Sequence, residues 1–337
     1  MREPHLILGI GELLWDILPG PHSGGVSIDA DSPEEALPLE PAGTASLGRM
    51  ALLGGAPANF TVMAGRLGNH AAILSRIGRD HLGRMAMNLL NPMPVDTSLI
   101  EIDLAHETGR VTVDFVQSEP RYTIHEPAAW DFMELTDEWV QLAGRAHAIC
   151  FGSLAQRSVA SRQTIQELTA QTSSTCIRVF DVNLRPPFVS DEILEESLEL
   201  ATVVKMNAEE LPKVLHMLGL PFDDAPGKPS LLPGAQRLLA EFPTLQVVAI
   251  TRGGHGSLLV NRDAWDEHPG FPVEVADSIG AGDAFTAALT HYLLRGAPLA
   301  RLNEAGNRWG GWVASQAGAM PPLPENVRAG IAAAIER

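Results

Sequence analysis

Cysteine, aromatic residues and positive charge are all scarce in this chain, and each scarcity closes off a class of protein. Cys150 and Cys176 are the only cysteines in 337 residues. Two distant thiols make neither a disulfide framework nor a zinc site, so buried thiols are expected. Aromatic residues amount to 5%, and 24 lysines and arginines face 41 acidic residues, for a net charge of −17. That balance argues against nucleic acid or an anionic membrane as partner. No run approaches the roughly 18 uninterrupted apolar residues of a membrane helix. The N-terminus lacks the basic region, apolar region and cleavage site of a secretory signal, which makes the cytoplasm the expected location. What is present describes a globular chain, 45% hydrophobic and 19% charged, with material for a sizeable core. The negative charge also sets a condition. A phosphate site would need local positive potential from a metal, arginines or helix N-termini.

Apolar strand-like runs recur along the chain. The clearest are HLILGI (5–10), AAILS (71–75), AICF (148–151), IRVFD (177–181), VVKMN (203–207) and QVVAIT (246–251). Between them, 58–67 carries Phe60, Met63, Ala64 and Leu67 at the spacing of one apolar helix face. Segments 162–169, 208–218 and 236–241 also read as helical. This alternation predicts an α/β fold, a doubly wound and mostly parallel central sheet flanked by helices. Ligands of such sheets lie beyond the carboxyl ends of the strands. Two regions break the pattern: 18–47, rich in Pro, Gly, Ser and acidic residues, and 100–125, with alternating β-type stretches. Over about 12–50 and 100–125 they read either as a small β lid on a single domain of residues 1–337 or as a long surface loop plus an edge hairpin. Residues 227–233 read as a surface turn.

The chemistry centres on Ser278-Ile279-Gly280-Ala281-Gly282-Asp283. Phe285, Leu289, Tyr292 and Leu293 follow at helical spacing and Gly296 suits a C-cap, so the glycines open a helix. Backbone N–H groups at a helix start bind anions, and absent side chains let a phosphate come close. A carboxylate there can accept a proton from an incoming hydroxyl. The plainer reading is a tight turn with Asp283 as a first-turn carboxylate. A dinucleotide fingerprint fails, because Phe285 stands where its third glycine belongs. Gly54-Gly55-Ala56-Pro57-Ala58-Asn59 offers a second glycine turn, with an amide that can serve a polyol. Asp16, shortly after the first strand, could take hydrogen bonds from vicinal hydroxyls; alone it would read as a turn-capping aspartate. Polar clusters follow three more strands: Asp181 to Arg185, Asn207 to Glu210, and Thr251 to Gly256. Glu210 could orient Mg²⁺ through water, against a plainer role as a first-turn helix carboxylate. His255 reads as an incidental loop histidine.

These signals occur in a familiar order. LGGAPANFTVMAGRLGNHAAILSRIGRDHLG and VEVADSIGAGDAFTAAL resemble the two signatures of the ribokinase-like (PfkB) carbohydrate kinases, and the resemblance covers nearly the whole chain. GELLWDILPG, GGAPAN and DVNLRPPF look most like fructokinases. The resemblance implies ATP-dependent transfer to a primary sugar hydroxyl, with Mg²⁺ and often a monovalent cation such as K⁺ beside the Asp277 loop. Asp283 would be the base, with Gly280, Ala281 and Gly282 contributing backbone to an anion hole. Asn207 and Glu210 match an N-x-x-E element near Mg²⁺ and phosphate. Thr251, Gly253 and Gly256 match a nucleotide loop, and Asn307 a position beside the adenine. Asp16, Gly54, Gly55 and Asn59 match sugar-binding positions. Ser278 and Ile279 replace the commoner Thr-Thr, and Trp309 and Trp312 make the segment 305–319 bulkier than usual.

The function so implied is a sugar kinase, with fructose as the expected acceptor and sugar and ATP as small-molecule partners. A homodimer is compatible with the resemblance. Other acceptors in view are a nucleoside, ribose and 2-keto-3-deoxygluconate. A catalytically silent sugar- or nucleotide-binding regulator is the alternative from another class, and the retained Asp283 speaks against it.

Overall fold

A computed structural model describes residues 4–19, 25–28, 49–116, 119–221 and 231–336. The first third of the chain runs β1 (Leu6–Ile10), β2 (Leu14–Pro19), β3 (Val26–Ile28), β4 (Arg49–Gly54), α1 (Ala56–Arg66), β5 (His70–Gly78) and α2 (His81–Leu90). It continues through β6 (Ile100–Asp103), β7 (Gly109–Val116), β8 (Glu119–Ile124), α3 (Asp137–Ala143), β9 (Ala148–Gly152) and α4 (Val159–Ala170). Next come β10 (Ile177–Asp181), α5 (Asp191–Leu200), β11 (Val203–Asn207), α6 (Glu210–Met217), α7 (Leu231–Glu241) and β12 (Val247–Thr251). The hairpin β13 (Ser257–Val260) and β14 (Trp265–His268) precedes the helices α8 (Ala281–Leu293), α9 (Leu299–Ala314) and α10 (Glu325–Glu336).

Nine strands form one sheet in the order β14-β13-β12-β11-β10-β9-β1-β5-β6. The seven from β12 to β6 are parallel, and the β13–β14 hairpin adds an antiparallel edge. The six expected strands all lie in this sheet. Their two-residue period explains the layering. Leu8, Ile10, Ile149, Phe151, Phe180, Val204, Met206, Val248 and Ile250 join the core that packs on one face. Ile7, Ala148, Cys150, Val179, Val203, Val247 and Ala249 face the other way, into the core built on α1, α8 and α9. Burying each large apolar side chain stabilises the fold by about 1.5–3 kcal/mol. Both cysteines are buried free thiols, and burial pushes the Cys176 thiol up to about 11. Among the described residues, no helix is long and apolar enough to cross a membrane.

A second sheet, ordered β3-β4-β2-β7-β8, stands apart from the first. Of the stretch 100–125, Ile100–Asp103 pairs with β5 in the large sheet, so this region joins the second sheet only from Gly109 onward. Residues 20–24 and 29–48 of the other irregular stretch lie outside the described residues. Arg157 ties the end of β8 to the body. It donates to the His125 carbonyl at 2.9 Å, grips Asp131 with two bonds of 2.8 Å, and stacks 3.9 Å over Trp130.

Two local expectations change. The segment 58–67 is not a helix with one apolar face: Pro57 to Gly65 are all buried. Phe60, Met63, Ala64 and Leu67 pack with α8, while Ala58 and Val62 pack against Trp15 and Ile17 of the second sheet. A helix covered on several sides need not be polar anywhere. The expected turn at 227–233 falls partly outside the described residues, and Pro233 belongs to α7. It stands in the first turn, where a missing N–H costs little.

Candidate active site

The carboxyl ends of the parallel strands and the inner side of the second sheet enclose a cavity of about 650 Å³. Glu12, Asp16, Asn59, Arg185, Lys205 and Asp283 line it, together with Val111, Val113 and Ile124 from the second sheet. At its floor Gly280, with a φ of 77°, caps the start of α8. The N–H groups of the first helical turn have no intrahelical acceptor and carry the positive end of the helix dipole. Asp283 is buried in that turn, and its Oδ2 accepts a 2.8 Å hydrogen bond from Asn59 Nδ2. Burial pushes its pKa up to about 6; Asp181 adds to the rise, while Lys205, Asn59 and Arg185 oppose it. A carboxylate near pH 6 is ionised at neutral pH and basic enough to accept a hydroxyl proton.

Lys205 and Arg185 bring positive charge to the cavity. Asp181 and Lys205 stand side by side on β10 and β11, and Lys205 Nζ lies 3.0 Å from Asp181 Oδ1. Thr286 Oγ1 donates to Asp181 Oδ2 at 3.0 Å, joining the pair to α8. Burial pulls the ammonium pKa down, but Asp181, Asp283 and Glu210 outweigh it and hold the lysine charged. A Cβ at Gly282 would sit 2.9 Å from Lys205 Nζ. The same close approach brings the ammonium to the helix start. Sequence reasoning passed over Lys205. Its one signal was a lysine inside an otherwise apolar strand.

Asp16 projects from β2, between Leu52 of β4 and Val111 of β7 in register. Burial pushes its pKa up to about 6 against the opposing charge of Arg185. A Cβ at Gly54 would come 3.1 Å from Asp16 Oδ2, so the glycine leaves that carboxylate room. Gly55 caps α1 at a φ of 110°. Asn59 keeps its own Oδ1 buried without a partner. Glu12, which the motifs did not single out, is buried beside it, and burial pushes its pKa up to about 7. Its Oε1 accepts from the Ala56 N–H at 3.2 Å. Asn183 and Arg185 enter from the loop after β10, and Asn183 holds a left-handed φ of 42°.

The remaining expected residues lie along the ends of β11 and β12, in the loop before α8 or, for Asn307, on α9. Asn207 and Glu210 cap each other: Asn207 Oδ1 accepts from the Glu210 N–H at 2.9 Å, and Glu210 Oε2 from the Asn207 N–H at 2.8 Å. Glu210 Oε1 accepts from the Leu184 N–H at 2.8 Å. Thr251 ends β12, Gly253 and Gly256 have φ of 57° and 79°, and a Cβ at Gly253 would meet nothing within 4 Å. Asp277 accepts from the N–H groups of Ile279 and Gly318 at 3.0 and 3.2 Å. Asn307 is buried and spends its amide hydrogens on Ser257 and Asn303. Among the described residues no cluster of three acidic, histidine or cysteine side chains could cage a metal.

A helix-start carboxylate, an ammonium and hydroxyl acceptors within one cleft suit transfer of an anionic group to an alcohol. The family model for the pfkB family of carbohydrate kinases matches residues 24–326. The chain belongs to that family. It is a phosphotransferase with an alcohol acceptor, of the sugar-kinase class. A fructokinase from Klebsiella pneumoniae is 32% identical over 70% of this chain and 75% of its own. The crystal structure of an uncharacterized sugar kinase from Pyrococcus horikoshii superposes with a TM-score of 0.73 at 27% identity, covering 94% of this chain and 93% of the other. A fructokinase with bound ATP from Xylella fastidiosa shares the fold, with a TM-score of 0.77 at 22% identity over 98% and 99% of the two chains.

Proposed function

We infer that this chain is a fructokinase, moving the γ-phosphoryl group of ATP to a primary hydroxyl of D-fructose. The observation that carries the reading is the 2.8 Å bond from Asn59 to Asp283 at the start of α8, beside the buried Lys205. In this reading ionised Asp283 accepts the hydroxyl proton, and Asp16 and Asn59 hold the other hydroxyls. The first-turn N–H groups of α8 and the Lys205 ammonium face the charge on the transferring group. Thr251, Gly253, Gly256, Asn207 and Asn307 bound the nucleotide side.

Mg²⁺ fits these residues as an ion held mainly by substrate phosphates and water, as Mg²⁺ commonly is. Both Glu210 oxygens already accept backbone N–H groups, so Glu210 would meet such an ion through water. Bound there, Mg²⁺ neutralises phosphate charge. K⁺ beside the Asp277 loop, a cytoplasmic location and a homodimer belong to the same reading.

One feature favours a sugar over a nucleoside: Tyr122 is the one aromatic among the described cavity-lining residues, which leaves little to stack a nucleoside base. The test is ADP release with ATP and Mg²⁺ across fructose, ribose, 2-keto-3-deoxygluconate and adenosine. Fructose should lead in kcat/KM by about tenfold or more, the worth of one good polar contact. A lead by any other acceptor overturns the fructose assignment.

A further inference from the structure

One carboxylate in the cavity is used by neither the sequence motifs nor the proposed chemistry. Glu12 follows β1 and wraps the turn before α1. A Cβ at Gly55 would come within 2.2 Å of the Glu12 main-chain oxygen. The Glu12 side chain reaches round the same turn to accept from the Ala56 N–H at 3.2 Å through Oε1. The residue is 3% exposed and lines the cavity, yet Oε2 is buried with no hydrogen-bond partner.

Capping α1 needs a single oxygen. The other costs the fold, because a buried carboxylate oxygen without a donor has lost water and gained nothing. Asn59 Oδ1 is in the same state on the same wall. Two orphan acceptors, lining the same cavity as the carboxylates of Asp16 and Asp283, call for a ligand that brings donors. A sugar with several free hydroxyls does so.

We propose that Glu12 is a specificity-determining residue whose free carboxylate oxygen accepts a hydrogen bond from a sugar hydroxyl other than the one phosphorylated. The proposal rests on the sugar-kinase reading and deepens it, since it assigns one more hydroxyl of the acceptor to a named side chain. A sugar lacking that hydroxyl would leave Oε2 unpaired, and such sites reject the deficient analogue strongly.

The experiment compares the wild type, Glu12→Gln and Glu12→Ala on the best sugar of the acceptor panel and on its singly deoxygenated analogues. Glu12→Gln can keep an oxygen for the Ala56 N–H while replacing the free oxygen by an amide NH₂, so it guards against simple misfolding. Each protein is measured by kcat/KM and by calorimetric sugar binding without ATP. In the wild type, removal of one particular hydroxyl should cost tenfold or more. Both variants should show a similar loss on the parent sugar, no further loss on that analogue, and unaltered losses on the others. The KM for ATP should stay within about twofold. Uniform losses across all analogues, or none, overturn the assignment and leave Glu12 as a support for α1. Absence of both turnover and binding with every sugar overturns this proposal and the kinase reading together, whereas turnover with non-selective losses overturns this one alone.

Discussion

At the end of the cleft roofed by the second sheet, Glu12, Asp16 and Asp283 are carboxylates that burial holds above their ordinary pKa, and Glu12 and Asn59 each keep an unpaired oxygen. At the ends of β11 and β12 and on α9, Glu210 accepts from the Asn207 and Leu184 N–H groups, Asn207 Oδ1 from the Glu210 N–H, and the Asn307 amide donates to Ser257 and Asn303. The first arrangement is unfavourable for the empty protein and becomes favourable when a polyol supplies donors. In the second, both Glu210 oxygens already have backbone donors, and the positive φ of Gly253 and Gly256 adds main-chain geometry. On the proposed function, selectivity for the sugar lies mainly with side chains, and accommodation of ATP mainly with the backbone.

The sharpest way to break this contrast is Asp283→Asn. We expect kcat to fall by about 10²–10⁴, the range for loss of a general base. Sugar and nucleotide binding should survive, because the change is nearly isosteric. A variant with near-normal kcat would make Asp283 an ordinary first-turn carboxylate. Next is Lys205→Met, which leaves Asp181 buried without its ion-pair partner. Removing one member of a buried pair costs about 3–5 kcal/mol. The double variant Lys205→Met, Asp181→Asn should recover most of that stability in a denaturant melt but little of the activity. Recovery of both would reduce the pair to scaffolding.

How much of this was readable in advance depends on how local the cause is. Gly280 to Asp283 was legible because a helix start and its glycines are set within a few residues. The parallel sheet was legible because its strands are apolar runs spaced by helices. Lys205 was not, since its meaning depends on the register that places it beside Asp181 on the neighbouring strand. Asn59 and Asp283 lie 224 residues apart, so no spacing rule could pair them. Glu12 was hidden because its burial is imposed by the Gly55 turn of a distant segment. The all-round burial of α1 escaped for a similar reason: a single apolar face says nothing of what covers the others.

Smaller effects refine the comparison. Asp16→Ala should raise the sugar KM about tenfold, as expected for a lost charged hydrogen bond, with little change in the KM for ATP. An equal rise in both would mean that the second sheet had shifted as a whole. Glu210→Gln should behave in the opposite way. It sets an amide against one of the two N–H groups that Glu210 accepts, costing about 1–3 kcal/mol in stability, and should raise the Mg²⁺ concentration needed for half-maximal rate. Mg²⁺ curves that superimpose on those of the wild type would confine Glu210 to its capping role.

The smallest expected effect concerns stability and pH, and it tests whether the acceptor end is unfavourable when empty. The Asp283 carboxyl moves from an ordinary 3.8 to about 6 on folding, chiefly through burial. The folded protein therefore binds that proton more tightly than the unfolded chain, and the resulting stability is fully present below about pH 4 and lost as pH rises through about 6. Above that range the ionised, buried carboxylate counts against the fold. Asp283→Asn carries no such penalty, though its amide NH₂ needs an acceptor that the carboxylate did not, so its net gain should be about 1 kcal/mol at pH 7.5. That corresponds to a rise in Tm of about 1–2 °C in the absence of ligands. The gain should shrink as the pH falls through 6 and disappear near 4, where both proteins are neutral at this position. Thermal melts of the two proteins between pH 4.5 and 8 give the answer. If the variant is the less stable one at pH 7.5, by a margin that does not change with pH, the bond between Asn59 and Asp283 is holding the fold together rather than holding a base in readiness.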